Sequence, residues 1–245
     1  MVTAYIDESG ISDRDEFSFV GGFIAEDSVW RSFSAAWFGR LSRSGLKYFH
    51  MAEFKADMPP FCPPILNRAA HKNLEYELMN IIRDHEIYGC VVRIHRFAWD
   101  RIITGYKSDF IGSALKYAFS EIAFEFHDLR DRMWPEKRLD IVYGEGPFSK
   151  EMQTIKSVYD RSAIDMPDKF GGISSAPMKS NAGIQASDVL VWEVMSASKE
   201  SVKMNSDTPA SKNLQKIGVR SFAKYINEPE IWSVYHSVYL SGHKD

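Results

Sequence analysis

The stretch Tyr5-Ile6-Asp7-Glu8-Ser9-Gly10 stands at the head of a 245-residue chain, and its pattern decides how the fold is read. Val2, Ala4 and Ile6 alternate with Thr3, Tyr5 and Asp7, the period of a β-strand. Ser9-Gly10 is turn chemistry, and Phe17–Ala25 follows within hairpin reach as a second strand. Asp7 is therefore expected near the end of a sheet strand, where a rigid backbone makes its carboxylate a first ligand for a divalent metal. The competing role is a strand-end aspartate that caps the Ser9-Gly10 turn. Glu8 alternates to the opposite sheet face unless it swings back where the strand ends.

Working outward, Trp30, Phe33, Ala36, Trp37 and Leu41 have helical spacing, and Asp57–Pro64 is a proline-rich loop. Asn67–His85 reads as a helix, Glu86–His95 as a strand, and Ser108–Leu129 as the longest helix. Arg138–Tyr143 is a further strand, closed by Gly144-Glu145-Gly146-Pro147. A helix over Ser149–Ser162, a short strand over Gly171–Pro177 and a helix over Ala182–Lys199 come next. Glu200–Pro209 is polar, and Val219–Ile226 and Ile231–Tyr239 read as terminal helical pieces. This order resembles the RNase H fold. The expectation is an α/β protein with a mixed five-stranded sheet flanked by helices, forming one domain over residues 1–245. A helical insertion over residues 28–85 separates the second and third strands, and a helical extension covers residues 205–240.

Composition narrows the function classes. The chain is 44% hydrophobic and 26% charged, the balance of an ordinary globular protein. A formal net charge of −3 excludes a highly basic nucleic-acid binder. It leaves room for a nucleic-acid substrate, because bound metals neutralise phosphate charge. Cys62 and Cys90 have no zinc-ligand or disulfide spacing. The start of the chain has no basic, apolar leader. No apolar run approaches the ~18 residues of a membrane span, so a cytoplasmic protein without a membrane partner is expected. Walker-type glycine loops and G-x-S-x-G elbows are absent, which argues against nucleoside-triphosphatase and serine-hydrolase readings.

Phosphodiester cleavage by paired metal ions needs carboxylates from distant positions to converge, with the ions ~3.5–4 Å apart. Glu145, just past the strand ending at Tyr143, and Asp188, on the helix over Ala182–Lys199, are placed to meet Asp7. Asp7, Glu145 and Asp188 form the candidate set for Mg²⁺ or Mn²⁺, with Glu8 as a possible fourth carboxylate. Asp188 lies among Ala186, Val189, Leu190 and Val191, so its charge needs either a metal or a salt-bridge partner. Gln185 precedes it by three and shares its helix face, as a substrate contact or a structural hydrogen bond. His50 and Glu53 are also three apart, suited to acid–base work or to a simple helix-start pairing. Lys179 is placed to neutralise a phosphate near the helix N-terminus or to stand solvated. Ser9 and Arg93 complete the candidate substrate contacts, Arg93 lying with His95 and Arg96 at a strand end.

Ile6-Asp7-Glu8-Ser9-Gly10, Val20-Gly21-Gly22, Phe49-His50-Met51-Ala52-Glu53 and Ile184-Gln185-Ala186-Ser187-Asp188-Val189-Leu190-Val191-Trp192-Glu193 together resemble an uncharacterised bacterial and archaeal domain family. Its members open with DESG, carry an H-x-x-E-like segment and close with QxADxLAWE. The resemblance covers residues 3 to about 195. It implies an RNase H-like fold and metal-dependent nuclease activity on DNA or RNA, often in mobile-element or defence settings. Asp7, Glu8 and Asp188 match the family's acidic positions. Ser187 replaces a common alanine, a swap expected to be harmless. Gly144-Glu145 stands where an aspartate is usual; Asp140 is the possible substitute, but it lies early in the strand and is expected farther from the site. The competing expectations are a catalytically inactive nucleic-acid- or protein-binding module on the same fold, and a phosphohydrolase of small nucleotides.

Overall fold

Alternation along the first strand, β1 (Val2–Ser9), sends Ala4 and Ile6 to one face of a sheet and Tyr5 and Asp7 to the other. The structure, a computed structural model, describes residues 1–12, 14–103, 112–146, 152, 155–156, 159, 166–203 and 220–241. β2 (Phe17–Glu26) runs antiparallel to β1 with Asp7 opposite Gly21, after a turn in which Gly10 takes a φ of 70°. β3 (Tyr88–His95) pairs antiparallel with β2, and β4 (Leu139–Gly144) pairs parallel with β1. β5 (Phe170–Ala176) lies parallel to β4 at one edge.

The chain is α/β, but its mixed sheet has six strands in the order β5-β4-β1-β2-β3-β6. The sixth, β6 (Ser221–Ile226), runs parallel to β3. It replaces the helical piece expected over residues 219–226. A short apolar run does not reveal its period, and the unpaired edge of β3 offers hydrogen bonds that an isolated helical turn lacks. The later helical piece does form, as a helix over Glu228–Ser241.

Three helices stand between β2 and β3: α1 (Asp27–Arg43), α2 (Met51–Lys55) and α3 (Arg68–Asp84). Asn67 caps α3, its side chain accepting from the amides of Ala69 and Ala70. A short α4 (Arg96–Ile102) follows β3, and α5 (Ala114–Met133) leads to β4. α6 (Ala182–Lys203) crosses β1 and β2, and α7 (Glu228–Ser241) ends the described chain. The helix expected over 149–162 and the polar stretch over 200–209 lie largely outside the described residues.

Each sheet face has its own core. α5 covers the side holding Ala4, Ile6, Val92 and Ile141. α1, α3 and α6 cover the side holding Tyr5, Phe19, Phe23 and Val91. Gly21 permits the close approach of α6: a Cβ there would lie 2.7 Å from a Val191 methyl and 2.8 Å from a Val91 methyl. The unbroken β1–β2 register identifies this glycine as a contact point rather than a bulge. Among the described residues no helix is long and apolar enough to cross a membrane.

Candidate functional site

Asp7 sits in the third-from-last position of β1, on the face that α6 covers. It is flanked by glycine on both neighbouring strands. Gly21 is its partner on β2, and a Cβ on Gly144 of β4 would lie 3.1 Å from Asp7 Oδ1. The missing side chains leave space for a carboxylate that is only 6% exposed. α6 brings Asp188 to the same place. Ser187, beside it, donates its hydroxyl to the Tyr5 carbonyl at 2.8 Å or to the Gly183 carbonyl at 2.9 Å, tying α6 to β1. The serine is accommodated on the helix and adds that buried hydrogen bond.

The electrostatics show that the carboxylates crowd one another. Burial, then the charges of Asp188 and Glu8, hold the Asp7 acid well above its usual range. Glu8 is pushed up to about 7, by burial first and Asp188 next. Its parity points it toward α5, yet its carboxyl reaches the strand end, where a Cβ on Gly146 would lie 3.4 Å from its Oε1. Asp188 is raised to about 6 by burial, against the opposing effects of the Met51 amide and His50. Among the described residues no lysine or arginine forms an ion pair with these three carboxylates.

The segment leading into α2 roofs the site. The Met51 amide donates to Asp188 Oδ2 at 2.6 Å, and the Phe49 amide donates to Gln185 Oε1 at 2.9 Å. Between these anchors, His50 places Nδ1 3.2 Å from Glu53 Oε1. Tyr48 donates its hydroxyl to Glu53 Oε2 at 2.7 Å, and Lys179 lies 4.6 Å over the Tyr48 ring. Burial works against ionisation of Glu53, but Tyr48, His50 and Lys179 together lower its acid below the usual value. His50 therefore stands between Glu53 and Asp188, and Lys179 stands beside Glu53. Tyr48 and the Met51 backbone were missed in the sequence, since a tyrosine two residues before a histidine and a main-chain donor carry no motif.

Three expectations are corrected. Glu145 is exposed and does not join Asp7. The parity of β4 places Gly144 on Asp7's face, so the next residue turns away. Asp140, expected farther from the site, does lie across from Thr3, a strand's length away, and accepts from the Gly172 amide at 2.8 Å. Gln185 is fully buried, and its amide is used by Trp37 Nε1, the Phe49 amide and the Met178 carbonyl. It is a structural anchor, not a substrate contact. Arg93 lies two strands away on β3, its guanidinium between the rings of Phe17 and Tyr225 and bonded to Asn227. Its neighbours are also occupied: His95 caps α4 and meets Glu16, and Arg96 bonds the Ser12 carbonyl. Ser9 donates to the Met195 sulfur at 3.2 Å.

Among the described residues no three histidine, cysteine, aspartate or glutamate side chains gather closely enough to hold a metal ion by themselves. The donor set still fits a hard divalent cation: buried carboxylate oxygens that repel one another and, among the described residues, have no lysine or arginine ion-paired to them. Such an ion takes one or two carboxylates and completes its shell with water and substrate oxygens. Comparison with protein-family models gives no match, and comparison with curated proteins gives none either.

Proposed function

We propose that this chain is a divalent-metal-dependent phosphodiester hydrolase of RNase H-like type, acting on nucleic acid. The observation that carries the reading is the meeting of Asp7 and Asp188, distant in sequence, as buried carboxylates with no lysine or arginine ion-paired to them among the described residues. A core ion pair at Asp188 would have spoken for a binding module, and its partner is instead a backbone amide. The neighbouring β1 and β4, with α6 carrying Asp188 across β1, also support an RNase H-like arrangement.

Asp7 and Asp188, with Glu8 beside them, would hold a Mg²⁺ or Mn²⁺ ion. When bound, that ion lowers the pKa of a coordinated water and neutralises charge on the leaving oxygen. The chain's own groups complete the chemistry. Glu53 fixes His50 through Nδ1, which leaves Nε2 to exchange a proton with water or the leaving oxygen. Lys179 is exposed at the rim and supplies positive charge for a phosphate.

The test is Mn²⁺ calorimetry on the wild type, Asp7→Asn and Asp188→Asn, followed by incubation with labelled single-stranded DNA and RNA. Binding lost in both variants, with metal-dependent cleavage by the wild type, is the expected result. Folded variants and a wild type that bind no Mn²⁺, even with oligonucleotide present, would leave the second reading. That reading, a non-catalytic nucleic-acid- or protein-binding module, is favoured by the outward position of Glu145.

A further inference from the structure

On the other side of the sheet from the carboxylates, α5, the start of β5 and the residues Ile155 and Tyr159 line an open cavity of about 500 Å³. That volume is typical of sites for small molecules. Ala123, Phe124, Ile155, Met166 and Phe170 make its walls largely apolar. Phe124 is 68% exposed and Met166 44%, an unusual amount of apolar surface to leave beside a ready cavity.

One end of the cavity is electrostatically unbalanced. Arg130 is 1% exposed and its Nε has no partner. Its Nη1 lies 2.9 Å from the carboxylate of the adjacent Asp131, which is 47% exposed, and 3.5 Å from the Pro135 carbonyl. Lys169 competes for the same carboxylate at 3.9 Å. Among the described lining residues Asp131 is the one carboxylate, and Arg130 and Lys169 share it. His127 adds no charge near neutral pH. Burial, then the Arg130 charge, lowers it to about 4, and it is bonded to Tyr159 at 3.0 Å. A buried guanidinium balanced by one shared, half-exposed carboxylate calls for a further anion.

We propose that this cavity is a binding site for a small amphipathic anion, an apolar body of aliphatic or aromatic carbon bearing one carboxylate or sulfonate. The body lies against Phe124, Met166 and Phe170, and the acid head sits at the Arg130–Lys169 end. The site is separate from the proposed metal centre and does not depend on it.

The test uses the full chain and the fluorescent sulfonate 8-anilinonaphthalene-1-sulfonate, with decanoate and decanol as competitors. The expected result is saturable one-to-one binding, displaced by decanoate at least tenfold more effectively than by decanol. Lys169→Glu, at an exposed position, is expected to weaken probe binding about tenfold. Ser120→Trp, at an exposed lining position, is expected to abolish it, while Phe97→Ala on a distant exposed ring leaves it unchanged. Non-saturable binding overturns the proposal, and so does equal displacement by acid and alcohol. Probe binding insensitive to both Lys169→Glu and Ser120→Trp overturns it as well.

Discussion

Two positions one helical turn apart on α6, Gln185 and Asp188, receive backbone amides from the same short segment, yet they carry opposite meanings. Gln185 is neutral, fully buried and bonded through both its amide oxygen and its amide nitrogen, to Trp37, Phe49 and Met178. Asp188 is charged when ionised, accepts the Met51 amide, and faces other carboxylates. The first position stabilises the native state. The second costs stability in the metal-free protein, because charges that repel are held out of water. A saturated polar group in a core marks architecture, and an unbalanced one marks a place where a ligand belongs.

The comparison breaks most visibly if Gln185→Ala leaves the protein stable. Removing this side chain strands the Trp37 and Phe49 donors in the core, so a loss of about 3 kcal/mol is expected. That corresponds to roughly 10 °C in the melting temperature of a chain this size, nearly the same at pH 5 and pH 8. Asp188→Asn should do the reverse. The amide oxygen still accepts from Met51, and the repulsion is gone. Because the folded acid is raised from 3.8 to about 6, the metal-free wild type loses stability as pH rises through that interval. The variant should therefore be more stable by about 2 kcal/mol at pH 8 in chelator, with the gain vanishing near pH 4. Urea melts at both pH values check the sign, and no gain at pH 8 would remove the electrostatic argument.

Smaller effects sharpen the same contrast. Ser187→Ala loses the hydroxyl bond between α6 and β1 and should cost about 1 kcal/mol in urea denaturation. Glu145→Gln, at an exposed site outside the cluster, should change stability by less than about 0.5 kcal/mol. Calorimetry should find Mn²⁺ affinity unchanged in that variant. A large loss of affinity would return Glu145 to the site.

Much of this arrangement was legible in the sequence because it follows from short-range periodicity. The alternation around Asp7 gave its strand and face, and the spacing of Gln185 and Asp188 gave their shared helix face. The α/β class followed from the order of elements. What escaped reading depended on partners far along the chain. β6 resembles a helical piece until β3 offers it an edge. Glu145 resembles a ligand until the register of β4 fixes which face residue 144 takes. Gln185 resembles a substrate contact until Trp37, 148 positions away, is found bonded to it. Glu8 ends beside Gly146 at the strand end, and only its burial and the charge of Asp188 link it to the cluster.

The place of Asp7 in the middle of the sheet has a dynamic consequence. β1 is hydrogen-bonded on both sides, to β2 along its whole length and to β4 as far as Ile6. Amides in such a strand exchange with solvent deuterium only when much of the domain opens, whereas those of the edge strands β5 and β6 escape through local fraying. The backbone that carries the carboxylates should thus be among the last to take up deuterium. Under the proposed function, the metal would be held on the part of the sheet that frays last.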